Sequence, residues 1–412
     1  MSIESYQLGR VRVATEPAGS FGVDIWAAGA GAASFLDVPL SEGSAQLTLT
    51  QNMLPPKPLQ QYLDGKAQDV LGMKAASLQF SMELHATGVA ANAATASITD
   101  TASALLRMLK AICGGLRGGN MGSAVATATS ASQHVVTGGQ GSRFTAGQGI
   151  VWSNPTTGLA ELRELATVST DTLTDKVAFS ATPQVGNTIY NATTIYPAEN
   201  PDTTLQFVVE GAENDFRWLL RGMIGGFTIS LGIDDLWTIT FNLVGSTWSN
   251  LGSGSLAAAT YQNYAPVFGK GDFIAQATGT RTFNRVHVQS CTITPNFQYT
   301  PVKSYAGLEG IYRFRRKRAV PLYAIEFVTM FEDIGWFSAR DARTDYCFTV
   351  QGGYAPGSLV GITLPAAQIE DVQPVNQDDD LSQKVVAHSR LDTDATDQST
   401  EIRRAAGRID FG

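Results

Sequence analysis

The stretch Trp237-Thr238-Ile239-Thr240-Phe241-Asn242-Leu243 alternates apolar and polar residues without a break. Side chains of an extended strand point to opposite faces with a period of two. Trp237, Ile239, Phe241 and Leu243 therefore share one face, and Thr238, Thr240 and Asn242 share the other. One face is to be buried and the other wet or set against a neighbour. The pattern recurs in Gln46-Leu47-Thr48-Leu49-Thr50, in Leu78-Gln79-Phe80-Ser81-Met82-Glu83-Leu84 and in Phe227-Thr228-Ile229-Ser230-Leu231. Such runs, rich in Val, Ile, Thr, Phe and Tyr and punctuated by Gly, Pro, Asn and Asp, predict a mainly β protein built from antiparallel strands.

One helix stands out against that background. Leu105, Leu106, Met108, Leu109 and Ile112 form a single stripe, with Thr99 or Asp100 as cap and Gly114-Gly115 as stop. Weaker helical patterns cover Glu213–Arg221 and Trp336–Arg343. Residues 116–200 differ in texture. Gly, Ala, Ser and Thr-rich sequence gives way to short strands around His134-Val135-Val136, Gly149-Ile150-Val151-Trp152 and Thr188-Ile189-Tyr190, a compact β module inserted in a larger domain. Residues 249–262, rich in Ser, Gly and Ala, read as a linker.

The chain also repeats itself. Leu47-Thr48-Leu49-Thr50 corresponds to Cys291-Thr292-Ile293-Thr294, and Asn52 to Asn296. A long loop follows in each copy, with Gly65 matching Gly310. Leu78, Phe80 and Met82 then match Tyr323, Ile325 and Phe327. Phe207-Val208-Val209-Glu210-Gly211 resembles Phe348-Thr349-Val350-Gln351-Gly352, and turns at Asp234-Asp235 and Asp378-Asp379-Asp380 join two last strands in each copy. The fold expected is two tandem β-sandwich or barrel-like domains, residues 1–250 and 251–412, each with one packed helix.

The paired loops are too long to satisfy their own backbone groups and suggest arms that reach a neighbouring subunit. The first, Gln51–Lys74, offers Pro55, Lys57, Tyr62, Asp64 and Lys74 as contacts. The second, Pro295–Arg318, offers Lys303, Tyr305, Glu309, Arg313, Arg315, Arg316 and Lys317. Ion pairing fits this basic run better than nucleic-acid binding, because only Tyr312 and Phe314 accompany it as aromatics.

Composition points the same way. The 412 residues include 16% charged residues, against about 25% in ordinary soluble domains. A chain so poor in charge for its size hides surface in an assembly. The formal net charge is −8, from 29 Lys and Arg against 37 Asp and Glu. That disfavours gripping DNA, which needs cations to displace counterions. Cys113, Cys291 and Cys347 stand at no metal-ligand spacing and read as small buried hydrophobes of a reducing compartment. No signal peptide and no membrane-length apolar run are expected. The sequon at Asn191 carries no weight in that setting.

Taken in order, these segments resemble the tail tube proteins of long-tailed bacteriophages, in the duplicated-domain form. The likeness lies in Ser77–Leu84, in Ala104–Leu109, in the insert closing on Gly186–Tyr190, and in Thr204–Glu210. It continues through Gly222–Leu231 and Trp237–Gly245, and closes with Gly357–Pro365 and a final strand near Glu401–Arg404. It covers nearly the whole chain as a pattern. The resemblance implies a structural, non-enzymatic virion protein that stacks as rings, trimers mimicking hexamers, into the tube that conducts DNA. It implies self-contacts, a tape-measure protein, a tail terminator and baseplate or tip proteins as partners, and assembly in the host cytoplasm into the tail. It also implies an acidic lumen, for which Asp234, Asp235, Asp378, Asp379 and Asp380 are the candidates.

Catalytic signatures are missing. Gly65-Lys66 and Gly269-Lys270 lack the Ser or Thr of a phosphate loop, and no zinc-protease or serine-hydrolase motif occurs. His85, His134, His287 and His388 are scattered. No catalytic, cofactor or metal site is expected. Rival expectations are another virion component, such as a tail terminator or decoration protein, and a carbohydrate-binding β-sandwich.

Overall fold

The computed structural model describes residues 8–26, 35–54, 70–86, 103–119, 121–199, 203–211, 216–232, 235–252, 259–261, 266–267, 271–308, 310–317, 322–331, 335–355, 357–377, 380–392 and 400–412. In chain order they form β1 (Leu8–Thr15), β2 (Leu36–Asp37), β3 (Gln46–Leu54), β4 (Val70–Glu83), helix α1 (Ala104–Cys113) and β5 (Gly114–Arg117). Then come β6 (Gly122–Ser130), β7 (Gln133–Val136), β8 (Gly149–Ser153), β9 (Ala160–Ser169), β10 (Thr172–Asp175) and β11 (Thr188–Asn191). The first half closes with β12 (Thr193–Pro197), β13 (Leu205–Gly211), β14 (Arg217–Gly232), β15 (Thr238–Gly245) and β16 (Thr247–Asn250). The second half opens with β17 (Gly271–Ala277), β18 (Val288–Pro295), β19 (Gln298–Leu308), β20 (Ile311–Lys317), β21 (Tyr323–Met330) and α2 (Trp336–Asp341). It ends with β22 (Asp345–Gly352), β23 (Val360–Gln377), β24 (Asp380–Ser389), α3 (Glu401–Arg404) and β25 (Arg408–Phe411). The protein is mostly β.

Strand pairing follows one plan twice. The first half runs β1–β13–β14–β15–β4–β3, all antiparallel. The second runs β17–β22–β23–β24–β21–β18, also antiparallel. Every strand of the first order has its counterpart in the second. α1 follows β4 as α2 follows β21. The longest strands, β14 and β23, change partners along their length. β14 pairs with β13 up to Met223 and with β15 from Ile224. Gly222 stands at that crossing with φ +63, a conformation that favours glycine, and a Cβ there would strike Ser246 and Phe21.

The two plans are joined edge to edge. Ile229–Gly232 of β14 pair with Ile293–Ser290 of β18. This makes one row of eight strands, β3–β4–β15–β14–β18–β21–β24–β23. Its apolar face and the other strands enclose one core shared by both halves, including Phe80, Phe227 and Phe241 from the first and Phe273, Phe327 and Phe348 from the second. The ring of Phe297 lies 6.0 Å from that of Phe227 and binds the halves across the seam. Ser103 caps α1 by accepting from the Leu106 amide at 3.0 Å, and Gly114 ends it at φ 95.

The insert is a closed six-stranded barrel, β10–β7–β6–β11–β8–β9, with its own core around Trp152, Phe144 and Phe179. It is shorter than 116–200, running from Gly122 to Asn191. β5 and β12 pair with each other and belong to the main sheet, with Ile195 in the main core.

Other expectations need correction. The helix expected over Glu213–Arg221 is replaced from Arg217 onward by β14, which is paired on both edges and places Trp218 against Trp248 at 5.1 Å. Glu401–Arg404 is a helix, and the last strand is β25. The cap of α1 is Ser103, while Thr99 and Asp100 lie outside the described residues. The start of the presumed linker is strand β16, running to Asn250. The repeat equivalence is four residues out of register at its start. Leu47 faces Leu78, whereas Cys291 faces Phe327 and Pro295 faces Tyr323. The loop expected over Pro295–Arg318 is a hairpin, β19–β20, turning at Gly310 with φ +77.

Candidate functional site

The polar positions of the eight-stranded row make a single surface. One line of residues crosses six strands and the seam between the halves: Glu83, Thr238, Ser230, Thr292, Glu326 and Val386. A second line holds Ser81, Thr240 and Thr228, with Ser81 Oγ and Thr240 Oγ1 2.8 Å apart. A third holds Gln46, Gln79 and Asn242. Most of the side chains are short hydroxyls and amides, with Glu83 and Glu326 exposed among them and Val386, Val244 and Met330 as apolar members. The cation on this side of the described strands is Lys384, and its Nζ lies 2.7 Å from Glu326 Oε1. His388 pairs with Glu370. The surface is therefore mostly polar, with Glu83 and Glu326 as its exposed carboxylates.

The sequence puts Thr238, Thr240 and Asn242 on one wet face but does not show its continuation over the neighbouring strands. The polar members of the alternating runs are these residues. The acidic turns drew attention instead. Asp235 is exposed, and its Oδ1 accepts from the Leu236 amide at 2.8 Å between β14 and β15. Asp234, Asp378 and Asp379 lie outside the described residues. Asp380 opens β24. Asp235 and Asp380 lie at the same end of the row, away from the β19–β20 hairpin.

The arm candidates separate into two kinds. Pro55, Lys57, Tyr62, Asp64 and Glu309 lie outside the described residues. Lys74 turns to its own chain, its Nζ 4.6 Å above the Trp248 ring and 3.4 Å from the Trp248 carbonyl. Arg316 does the same. It donates to the carbonyls of Cys113 and Ala198, both at 3.0 Å, and covers the Phe297 ring at 4.3 Å. Its charge thus meets the C-terminal carbonyls of α1, where the helix dipole favours a cation. Tyr299 reinforces the contact, its hydroxyl donating to the Ile112 carbonyl at 2.7 Å. The hairpin of the second half is in this way laid on the helix of the first. Lys303, Arg313, Arg315 and Lys317 remain exposed along it, and Tyr305 lies on β19.

Buried charged and polar groups fasten the barrel to β22, β25 and the segment after β24. Arg408 Nη1 meets Glu164 Oε1 at 2.5 Å, and Lys176 Nζ meets Asp392 Oδ2 at 2.5 Å. The side-chain oxygen of Gln351 accepts from the Leu162 amide at 2.7 Å, while its nitrogen donates to the Ala160 carbonyl at 2.9 Å. Asp410 Oδ1 accepts from Thr194 at 2.5 Å and from the Gly149 amide at 3.1 Å. Burial, with the charge of Glu164 adding, pushes the Asp410 carboxyl up to about 7. Burial likewise raises Glu164 against the pull of Arg408.

Among the described residues no helix is long and apolar enough to cross a membrane. The chain matches no protein-family model and no curated protein.

Proposed function

We propose that the chain is the subunit of a bacteriophage tail tube, with three copies closing a ring of six similar positions and rings stacking around a channel for DNA. The observation that carries this is the seam between β14 and β18. It joins the two strand sets inside one chain. The counterparts of those strands, β23 and β3, are the edges at the two ends of the eight-stranded row. Beyond Gln368, β23 pairs with β24 alone, and β3 pairs with β4 alone, among the described residues. Unpaired edges are templates for further strands, and closed symmetry removes them. A neighbour's β3 laid on β23 would repeat between chains the seam already present within one. Pro374 offers no N–H to that edge, so the seam would use the amides on either side of it.

The polar face would then line the channel. It has little to hold phosphates, and its carboxylates repel them over the ~8–10 Å that salt permits. The barrel would sit outside the tube. DNA passes without specific binding, the self-contacts and the tape-measure, terminator and tip proteins are the partners, and the site of action is the virion tail. Negative-stain microscopy and mass measurement of the purified protein test this. Hollow rods built from rings of three-chain mass are expected. A chain that stays monomeric at assembly concentrations rejects the proposal.

A further inference from the structure

We infer that the barrel is joined covalently to the main body by an amide bond between the side chains of Lys176 and Asp392, formed by the chain itself with the carboxyl of Glu164 as proton relay. Nothing in it depends on ring formation. Lys176 follows β10 of the barrel, and Asp392 follows β24 of the second half. Their Nζ and Oδ2 lie 2.5 Å apart. An amine held that close to a carboxylate oxygen stands ~3–3.5 Å from its carbon, the separation from which attack proceeds. The two side chains are only 6% and 2% exposed.

The third group is on the neighbouring strand. The Lys176 amide donates to the Glu164 carbonyl at 2.8 Å, which carries the β9–β10 pairing one step past Asp175 and Leu165. Opposed residues of a ladder send their side chains to the same side. Glu164 is fully buried. Its Oε1 meets Arg408, and its Oε2 has no hydrogen-bond partner among the described residues. Burial raises its carboxyl, with the charge of Asp392 adding and those of Arg408 and Lys176 opposing. The charges of Glu164, Lys176 and Asp392 all reach the buried thiol of Cys347, which packs with Val177 and Ile274. An amine, the carboxyl it would join and a second carboxyl thus converge on one spot against an apolar wall.

The reaction is a condensation. The ammonium passes a proton to the Asp392 carboxylate, which leaves a neutral amine beside a neutral acid. Nζ attacks Cγ, the Nζ–Cγ bond forms, and one Cγ–O bond breaks with loss of water. Of the three ammonium protons, one stays on the amide nitrogen and two leave in the water. Glu164 lends a proton to the departing oxygen and regains one from the nitrogen, so it ends unchanged. An ion pair stripped of water is costly to bury, and the amide removes both charges. Fixed positioning is worth effective molarities of ~10⁵–10⁸ M, while hydrolysis needs water that burial excludes. The link spans 216 residues of chain and joins the barrel to the body where Gln351 and Arg408 already hold it.

Mass spectrometry of the purified full chain, whole and after digestion with trypsin, tests the bond. The intact chain is expected to be lighter than its sequence by one water. Trypsin is expected to spare Lys176 and to yield a branched peptide joining Glu164–Arg217 to Leu391–Arg403. Lys176→Arg keeps the charge but cannot condense in this way, so it is expected at full mass and, once boiled, to run behind the more compact linked wild type on a denaturing gel. Glu164→Gln, folded by circular dichroism, is expected to stay largely unlinked. A folded wild type of full mass, cleaved after Lys176, overturns the inference and leaves Lys176 and Asp392 an ion pair only. Complete linking in Glu164→Gln overturns the role given to Glu164. Should a variant not fold, the wild-type peptide decides.

Discussion

Asp410 shows what burial does to a single group. It is fully covered, its Oδ1 is held by Thr194 and Gly149, and Oδ2 has no hydrogen-bond partner among the described residues. With the folded carboxyl near 7 and the unfolded one near its ordinary value of ~3.9, the native state holds a proton that the unfolded chain has released. Stability from this group is therefore complete below about pH 4 and is lost as pH rises towards 7. The slope is at most ~1.4 kcal/mol per pH unit. Asp410→Asn keeps the acceptor for Thr194 and Gly149 and removes the titration. Urea unfolding of both proteins at several pH values is expected to show a flatter decline for the variant between pH 5 and 7. Parallel declines would show that Asp410 is ionised throughout. Arg316 makes the converse point, that a cation inside a basic run can be spent on its own chain. Its planar guanidinium reaches two carbonyls and one ring at once, which no reading of Arg313–Lys317 as a uniform charged patch would separate.

The barrel is the element most nearly independent of the rest. Closure leaves it no open edge, and Trp152, Phe179 and Leu173 belong to a core of its own. Its entry and exit lie side by side, because Arg117 pairs with Thr194. Residues 118–192 produced alone are expected to unfold cooperatively, with a stability of a few kcal/mol at about 0.05–0.15 kcal/mol per residue. Thermal unfolding followed by near-ultraviolet circular dichroism checks this, and a featureless spectrum would contradict it. Elements with a clean local period were legible in the sequence. The stripe of α1 and the alternation of Leu78–Leu84 and Trp237–Leu243 appear in the structure as read. Elements defined by neighbours were not. β14 is buried on both faces at Leu219–Leu220, because Leu219 packs with Ile25 and Phe35 while Leu220 enters the main core, so its sequence has no alternation there to read. Four-residue α3 is too short to show a period. The β19–β20 hairpin hid behind its charge, with Tyr312 and Phe314 alternating against arginines. The polar face was legible strand by strand but not as one surface, since each of its threonines looks like ordinary strand filler until the registers line them up.

At the scale of the whole molecule, two strand sets share one seam and one core, and the outermost strands of the row are the counterparts of the two that meet inside. The polar face is continuous across that seam, as the line from Glu83 to Glu326 shows. Whether it faces a channel can be asked by making it sticky. Ser230 and Asn242 are exposed on this face, on neighbouring strands. S230K/N242K adds two cations per chain without touching the core. Phosphate binding through such cations weakens linearly in log affinity with log salt, by ~0.9 per phosphate neutralised. Assembled variant particles are expected to carry a short linear duplex down in sedimentation at low salt and to release it at high salt, where wild-type particles carry none. A closed circular plasmid separates inside from outside, because a circle cannot thread a tube. Retention of the linear duplex together with exclusion of the circle is the outcome a channel requires. Capture of both would place the polar face on the exterior of the particle, where no conduit could be built from it.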